Sequence, residues 1–141
     1  MTIKIAETEH EIRSCYTVMR ELRTHLNEQE FVERVAVMSP AGYRLSYIEA
    51  QGQVVAVAGF RPGHNLAWGR FIYVDDLVTL ASSRSKGYGR QLIEWLRLYA
   101  KEHGCGQLHL DSGLQRADAH RFYEREGVNK TSYHFAEVLG L

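Results

Sequence analysis

The chain has 141 residues, which fits one domain, residues 1–141, with a single buried core. Apolar residues make up 45% of it and aromatic residues 11%, which is typical of a globular protein and excludes a disordered one. Its 17 Lys and Arg balance its 17 Asp and Glu, so the chain lacks the basic excess of proteins that bind nucleic acid through phosphates.

The positions of the cysteines, histidines and apolar residues further limit the class of protein. Cys15 and Cys105 lie far apart without CxxC spacing, so we expect two reduced thiols. The seven histidines form no HExxH motif and no cluster with cysteine, so no metal site is expected. No apolar run approaches ~18 residues, and charges interrupt the opening stretch MTIKIAETEHEIRSC, where a secretory leader is apolar. We therefore expect a cytoplasmic protein without a membrane partner.

The first predicted elements are a strand and two helices. Residues 2–6, TIKIA, alternate as a short strand does. Thr8 and Glu11 form a capping-box pattern that predicts the start of a helix. Asn27 and Glu30 repeat this signal for a second helix.

The middle of the chain predicts three strands. Residues 43–50 and 53–60 are rich in β-branched and aromatic residues, and the turn residues between them indicate a hairpin. Residues 61–67, RPGHNLA, predict a loop, and residues 68–80 predict a long strand.

The last third predicts helices and strands in alternation. Apolar spacing indicates a helix over 88–103, followed by a strand at 107–111 and a short helix over 117–126. Residues 130–139, KTSYHFAEVL, predict a final strand. The order is therefore β-αα-βββ-α-β-α-β, for which an α/β fold with a mixed sheet and helices on both faces is the expected architecture.

Residues 84–90, RSKGYGR, form a glycine-rich turn that leads into a helix. Gly87 and Gly89 lack Cβ atoms, so the backbone can take unusual dihedral angles and come close to a ligand. The first amides of the helix have no intrahelical partner, and the helix dipole adds partial positive charge there. A phosphate is the expected guest, with charge added by Arg84, Lys86 and Arg90. The alternative is a simple turn with solvated basic side chains, since neither a Walker A loop nor a dinucleotide fingerprint is present.

Two motifs together resemble the GNAT superfamily of acyl-CoA-dependent N-acetyltransferases. The phosphate loop of that family reads Arg/Gln-x-x-Gly-x-Gly/Ala, and it is matched by Arg84-Ser85-Lys86-Gly87-Tyr88-Gly89. A later signature, Ala-x-x-Phe-Tyr-x-x-x-Gly-Phe, is met by Ala119, Phe122, Tyr123 and Gly127, with Val128 in place of the final aromatic residue. The order of elements also agrees across nearly the whole chain, and the family's fold has a mixed, mostly antiparallel sheet.

The resemblance implies that the chain moves an acetyl group from acetyl-CoA directly to an amine. The amides of residues 84–89 would hold the pyrophosphate, and residues 77–79 would pair with the pantetheine arm as a further strand would. One of those strand amides would polarise the thioester carbonyl. The implied cofactor-binding residues are Leu77, Val78, Thr79, Arg84, Ser85, Lys86, Gly87, Tyr88, Gly89, Arg90, Ala119 and Phe122.

Three residues are candidates for catalytic proton transfer. An amine with a pKa of ~10 must lose a proton before it attacks, and Asp75 and Asp76 stand where the family often keeps a carboxylate. Because adjacent strand residues face opposite sides, we expect at most one of them to face a given pocket, and a bulge would alter which one. Tyr123 is implied to protonate the departing thiolate, with core packing as the alternative. Glu49 and Glu21 are weaker candidates for binding a cationic substrate.

The identity of the acceptor stays open. The leading interpretation is a small-molecule amine, because RADAHRFYEREG looks like the equivalent helix of aminoalkylphosphonate and aminoglycoside acetyltransferases. A protein lysine or N-terminus is the alternative, which predicts an open groove with residues 61–69 lying flat. A non-catalytic acyl-CoA-binding module is a third interpretation, which needs no base and no Tyr123. The sequence does not choose between a monomer and a homodimer, for which the final strand is the candidate surface.

Overall fold

The computed structural model describes residues 2–141, in two compact units. The first unit ends at Leu110 and the second is Asp111–Leu141. The elements of the first unit are β1 (Ile3–Ile5), α1 (Glu9–Met19), α2 (Glu28–Met38), β2 (Arg44–Ala50), β3 (Gln53–Asn65), β4 (Gly69–Thr79), α3 (Tyr88–Glu102) and β5 (Gln107–Leu110). The second unit contains α4 (Ala117–Arg125).

The strands of the first unit form one mixed sheet. They lie side by side in chain order, β1-β2-β3-β4-β5. The first four are antiparallel to their neighbours, and β5 runs parallel to β4. The crossover that this parallel pair requires is α3. This arrangement confirms the predicted α/β class with a mostly antiparallel sheet.

Two apolar cores cover the two faces of the sheet. On one face, α1 and α2 contribute Cys15, Val18 and Phe31 to a core with Leu45 and Tyr47 of β2. On the other face, the apolar side of α3 packs against the sheet through Leu92, Leu96 and Ala100, which recur at helical spacing. The central strand β3 is buried on both faces from Val54 to Phe60, which explains its continuous apolar run.

The starts of α1 and α2 confirm the predicted capping boxes. The amide of Glu11 donates to Thr8 Oγ1 at 3.1 Å, and the Thr8 amide donates back to the Glu11 carboxylate at 3.0 Å. Asn27 and Glu30 make the same reciprocal pair at 2.8 and 3.0 Å. Each pair satisfies amides that have no partner inside the helix.

The predicted loop over residues 61–67 is wrong in its first part, because β3 continues to Asn65. Residues 61–65 pair with the start of β4, down to Asn65 opposite Gly69. Pro62 and Gly63 disfavour a strand by local propensity, but β4 lies beside these residues and pairs with their backbone. The turn itself is short: Asn65 Oδ1 accepts a 2.7 Å hydrogen bond from the Trp68 amide, and Gly69 takes a φ of +71°.

The predicted final strand over residues 130–139 is also wrong. Residues 128–141 have no helical or strand structure, and Tyr133, Phe135 and Val138 are 74%, 91% and 97% exposed. Alternation describes which side chains would share a face, but a strand forms only where another strand pairs with its backbone. The predicted element order is therefore confirmed as far as α4. Among residues 2–141, no helix has the length and apolar content needed to cross a bilayer.

Candidate active site

A bulge in β4 brings two neighbouring carboxylates into one cavity. In the pairing with β3, Gly59 lies opposite Asp76 and Phe60 opposite Val74, which leaves Asp75 as an extra residue. The bulge breaks the alternation of the strand, and both Asp75 and Asp76 line the same cavity. The expectation that at most one of them faces a given pocket is therefore wrong.

Asp76 is held by two side chains from outside its own strand. Arg23, in the segment between α1 and α2, donates from Nε to Asp76 Oδ1 at 2.8 Å. The Tyr43 hydroxyl donates to Asp76 Oδ2 at 2.6 Å. Burial and the negative charge of Asp76 raise the pKa of Tyr43, so its phenol stays protonated and remains a donor.

A glycine makes room for this contact. A Cβ at Gly59 would lie 1.9 Å from the Tyr43 hydroxyl oxygen and 2.7 Å from Asp76 Oδ2. Any larger residue would have to displace the pair. Gly59 therefore allows the Tyr43 hydroxyl to approach the Asp76 carboxylate, next to the bulge that orients both aspartates.

Asp75 is bound by a different arginine. Arg61 of β3 donates from Nε to Asp75 Oδ2 at 2.8 Å and from Nη2 to Oδ1 at 3.3 Å, a two-pronged ion pair. Its guanidinium also lies over the Tyr73 ring, 5.0 Å from the centroid. Arg23 also donates from Nη2 to the backbone carbonyl oxygen of Asp75 at 2.8 Å, so one arginine binds the Asp76 carboxylate and the backbone of the bulge.

These side chains surround a cavity of about 530 Å³ within the first unit. That volume suits a small molecule. Its lining combines an apolar part with charged and polar groups: Met19, Leu26, Phe31, Val35, Met38 and Ala41, together with Arg23, His25, Arg34, Tyr43, Arg61, Asp75 and Asp76. The weaker candidates Glu21 and Glu49 are not part of this lining. Glu21 instead accepts a 2.9 Å hydrogen bond from the Ala81 amide after β4.

Beyond the bulge, β4 parts from β5. The parallel pairing ends at Val74 and Leu110, whereas β4 continues to Thr79 paired with β3. In the described residues, Leu77, Val78 and Thr79 thus have a strand neighbour on one side only. Their other edge offers backbone groups to an extended ligand, as the pantetheine arm of acetyl-CoA would require.

The glycine-rich turn after β4 presents free backbone amides. Gly87 caps α3 with a φ of +82°, and Ser85 also takes a positive φ of 66°. Within residues 2–141, no acceptor receives a hydrogen bond from the amides of Lys86, Gly87, Tyr88 or Gly89, and no side chain caps the helix. Arg84 and Lys86 are exposed here, and Arg90 forms a 3.1 Å ion pair with Glu94 one turn further on. A pyrophosphate fits these donors, since it needs several amides and a positive helix end.

The second unit holds the remaining predicted residues on one face of α4. Ala119 and Phe122 are half-buried and Tyr123 is buried. The Phe122 and Tyr123 rings meet edge to face with centroids 5.4 Å apart. Burial raises the pKa of Tyr123, and its hydroxyl makes no hydrogen bond within residues 2–141. This phenol therefore stays protonated at neutral pH, as a proton donor must.

Five polar or charged cavity residues escaped prediction from the sequence: Arg23, His25, Arg34, Tyr43 and Arg61. None belongs to a motif, and Arg23 and Tyr43 lie 53 and 33 positions from Asp76. A positively charged residue in the expected loop at 61–67 was the one available signal, and it pointed to no partner.

The sequence pattern of the acetyltransferase (GNAT) family matches residues 5–128, most of the chain. The chain belongs to this family. Among curated relatives, an uncharacterised N-acetyltransferase of Bacillus subtilis (strain 168) is 36% identical over 139 residues, 97% of this chain and 98% of that protein. The aminoalkylphosphonate N-acetyltransferase of Salmonella typhimurium (strain LT2) is 30% identical over 137 residues, 94% of this chain and 88% of that protein.

Comparison with solved structures also supports the GNAT fold. An aminoglycoside N-acetyltransferase in complex with CoA superposes with a TM-score of 0.86 at 13% identity, over 99% of this chain and 96% of that chain. At this identity the likeness shows the fold and no more. The expected family and architecture are thus confirmed. The family match identifies the protein as an N-acetyltransferase.

Proposed function

We propose that the protein transfers the acetyl group of acetyl-CoA to the primary amine of a small molecule by direct attack. The observation that carries this proposal is the arrangement of candidate groups along β4 and the turn that follows it. Along it, the two cavity aspartates are followed at once by residues 77–79, whose outer side β5 leaves open. The free amides of residues 86–89 follow along the chain.

Acetyl-CoA, when bound, supplies an activated acetyl group as a thioester. The amides of residues 86–89 would hold its pyrophosphate, with charge from Arg84, Lys86 and Arg90. The open edge of Leu77, Val78 and Thr79 would orient the pantetheine arm. One amide of that edge would donate a hydrogen bond to the carbonyl oxygen, where negative charge develops.

Two proton transfers complete the proposed chemistry. The ammonium form of the acceptor, with a pKa of ~10, must lose a proton before its nitrogen attacks. We assign that step to the Asp75 and Asp76 pair, one of which would receive the proton directly or through water. We assign protonation of the departing thiolate to Tyr123, supported by its buried phenol, whose pKa is raised by that burial.

Support for a small acceptor comes from two sources. The cavity of about 530 Å³ has the size of a small-molecule site. The relative that is 30% identical acts on an aminoalkylphosphonate, by its name. A protein acceptor predicts an open groove with residues 61–69 lying flat, whereas residues 61–65 form a paired strand. The cytoplasmic location and the homodimer stay predictions.

Release of free thiol from acetyl-CoA tests the function. The protein is mixed with acetyl-CoA and single amines, including aminophosphonates, amino acids, diamines, aminoglycosides and lysine peptides. We expect thiol release with a small amine and an acetylated product of the corresponding mass. Binding of acetyl-CoA without release on any amine would instead support the non-catalytic module, and transfer to peptides alone would support the protein acceptor.

A further inference from the structure

The charges that line the acceptor cavity do not balance. Three arginines, Arg23, Arg34 and Arg61, face two aspartates, Asp75 and Asp76. The ionic contacts described above pair Arg23 with Asp76 and Arg61 with Asp75, both at 2.8 Å. The positive charge of Arg34 is therefore left over.

Arg34 has no competing partner in the part of the chain that the structure describes. It lies on the exposed side of α2, and it makes no ion pair or hydrogen bond with residues 2–141. His25, which lines the same cavity, is also exposed and without a partner among those residues. A guanidinium presents several N–H donors in a planar fork, which matches the oxygens of a phosphonate, phosphate or carboxylate.

The cavity thus has two unlike polar sides with an apolar part among them. The two aspartates lie on β4, Arg34 lies on α2, and Phe31 and Val35 of α2 are buried apolar lining residues. A dication or polycation would meet this surplus positive charge at the site where it must bind. A small zwitterion would place its ammonium towards the aspartates and its anion towards the arginine.

We propose that the acceptor is a small amine that also carries an anionic group, and that Arg34 binds this group. This inference rests on the proposed function, because it names the substrate class of the same site. Arg34 acts as a specificity-determining residue, not in the chemistry of transfer. Its contribution falls on binding of the acceptor and leaves the use of acetyl-CoA unchanged.

Matched acceptors of similar length test the inference. The set is 2-aminoethylphosphonate, phosphoethanolamine, β-alanine, the neutral ethanolamine and the dication 1,3-diaminopropane. For the wild-type protein we expect kcat/KM to be at least about 10-fold higher for the best anionic acceptor than for ethanolamine, and lowest for the diamine. Comparison of the three anionic acceptors then tells phosphonate, phosphate and carboxylate apart.

Substitution of Arg34 is the decisive experiment. Arg34→Gln should raise KM for the anionic acceptors by about 10- to 100-fold and leave kcat/KM for ethanolamine and KM for acetyl-CoA unchanged. Arg34→Glu should shift the preference towards the diamine. Lys101→Gln is the matched control, since it removes one exposed positive charge from the last turn of α3, outside the cavity. Calorimetric titration of 2-aminoethylphosphonate into protein with CoA should show the same loss of affinity in Arg34→Gln.

The outcomes separate this inference from the proposed function. Equal wild-type use of ethanolamine and the zwitterions, or equal loss for all acceptors in Arg34→Gln, overturns the inference and leaves acetyl transfer standing. Failure to acetylate any amine, with acetyl-CoA still bound, overturns the proposed function and the inference together.

Discussion

The Tyr43 hydroxyl donates a 2.6 Å hydrogen bond to Oδ2 of Asp76, across 33 positions of sequence. The contact joins the residue before β2 to the bulge of β4, and it passes over the bare Cα of Gly59. Because Tyr43 belongs to the apolar core under α1 and α2, the contact ties the orientation of a candidate catalytic carboxylate to that core.

Replacement of Gly59 by alanine should disrupt this contact. The new Cβ would stand 1.9 Å from the Tyr43 oxygen, so the buried tyrosine or the strand must shift. We expect the free energy of unfolding to fall by about 1–3 kcal/mol, measured by urea denaturation. Gly106→Ala is the control, because its Cβ would meet nothing within 4 Å. Equal denaturation midpoints for the two variants would contradict this account of Gly59.

Replacement of each cavity aspartate by asparagine tests the proposed base. Asparagine keeps the shape and one acceptor oxygen but takes up no proton from the amine. We expect Asp75→Asn or Asp76→Asn to lower kcat by about 100-fold or more, with KM for acetyl-CoA unchanged. Steady-state thiol release measures both constants. Should both variants retain wild-type kcat, neither carboxylate is the base.

The left-handed backbone of Gly87 should matter for cofactor binding. A Cβ there would meet no atom within 4 Å, so the cost of Gly87→Ala comes from its φ of +82°. Gly52→Ala, with a φ of +76° and equally open surroundings, is a matched control in the β2–β3 turn. We expect each variant to lose about 1 kcal/mol of stability.

Only the Gly87 variants should differ from the wild-type protein in how far acetyl-CoA raises their Tm. A ligand at 100 times its Kd adds about 2.7 kcal/mol to the free energy of unfolding, and this appears as a rise in Tm. The rise should persist in Gly52→Ala, shrink in Gly87→Ala and vanish in Gly87→Glu, which puts a negative charge beside the pyrophosphate. An undiminished rise in Gly87→Glu would exclude this turn as the phosphate site.

The role of Tyr123 should be visible in a pH profile. Its raised pKa keeps the phenol protonated beyond the ordinary tyrosine value, so the wild-type protein keeps its acid through pH 9. Tyr123→Phe should lower kcat by about 10-fold or more at pH 7. The gap should narrow above about pH 8.5, where a thiolate leaves without a proton. A gap that stays constant from pH 6 to 9.5 would assign Tyr123 to packing alone.

Glu11 should make the stability of the protein depend on acidity. Hydrogen bonds from the Thr8 and Glu7 amides, and then from the Tyr47 hydroxyl, lower the pKa of Glu11 from 4.5 to about 2. A lowered carboxyl pKa contributes stability that is present above pH 4.5 and is lost as the pH falls through about 2. The wild-type Tm should therefore fall over this range more steeply than that of Glu11→Gln. Parallel Tm curves would show that the carboxylate is not held in this way.

The sequence by itself determined the features that depend on neighbouring residues. The capping boxes of Thr8 with Glu11 and Asn27 with Glu30, the apolar periodicity of α3 and the left-handed Gly87 involve residues within a few positions of each other. Such signals depend on local backbone geometry and are legible in one chain. With the order of elements, they were enough for the fold as far as α4. The family followed from the two motifs at residues 84–89 and 119–127, which are also local patterns.

Only the tertiary structure decided the composition of the acceptor cavity. The bulge at Asp75 arises from pairing with β3, and the partners of the two aspartates come from the α1–α2 segment, the start of β2 and β3. Ion pairs and strand registers join residues that no local pattern relates, so Arg23, Tyr43 and Arg61 could not be predicted. The same reason explains the final strand: its alternation is a local property, but a strand needs another strand beside it.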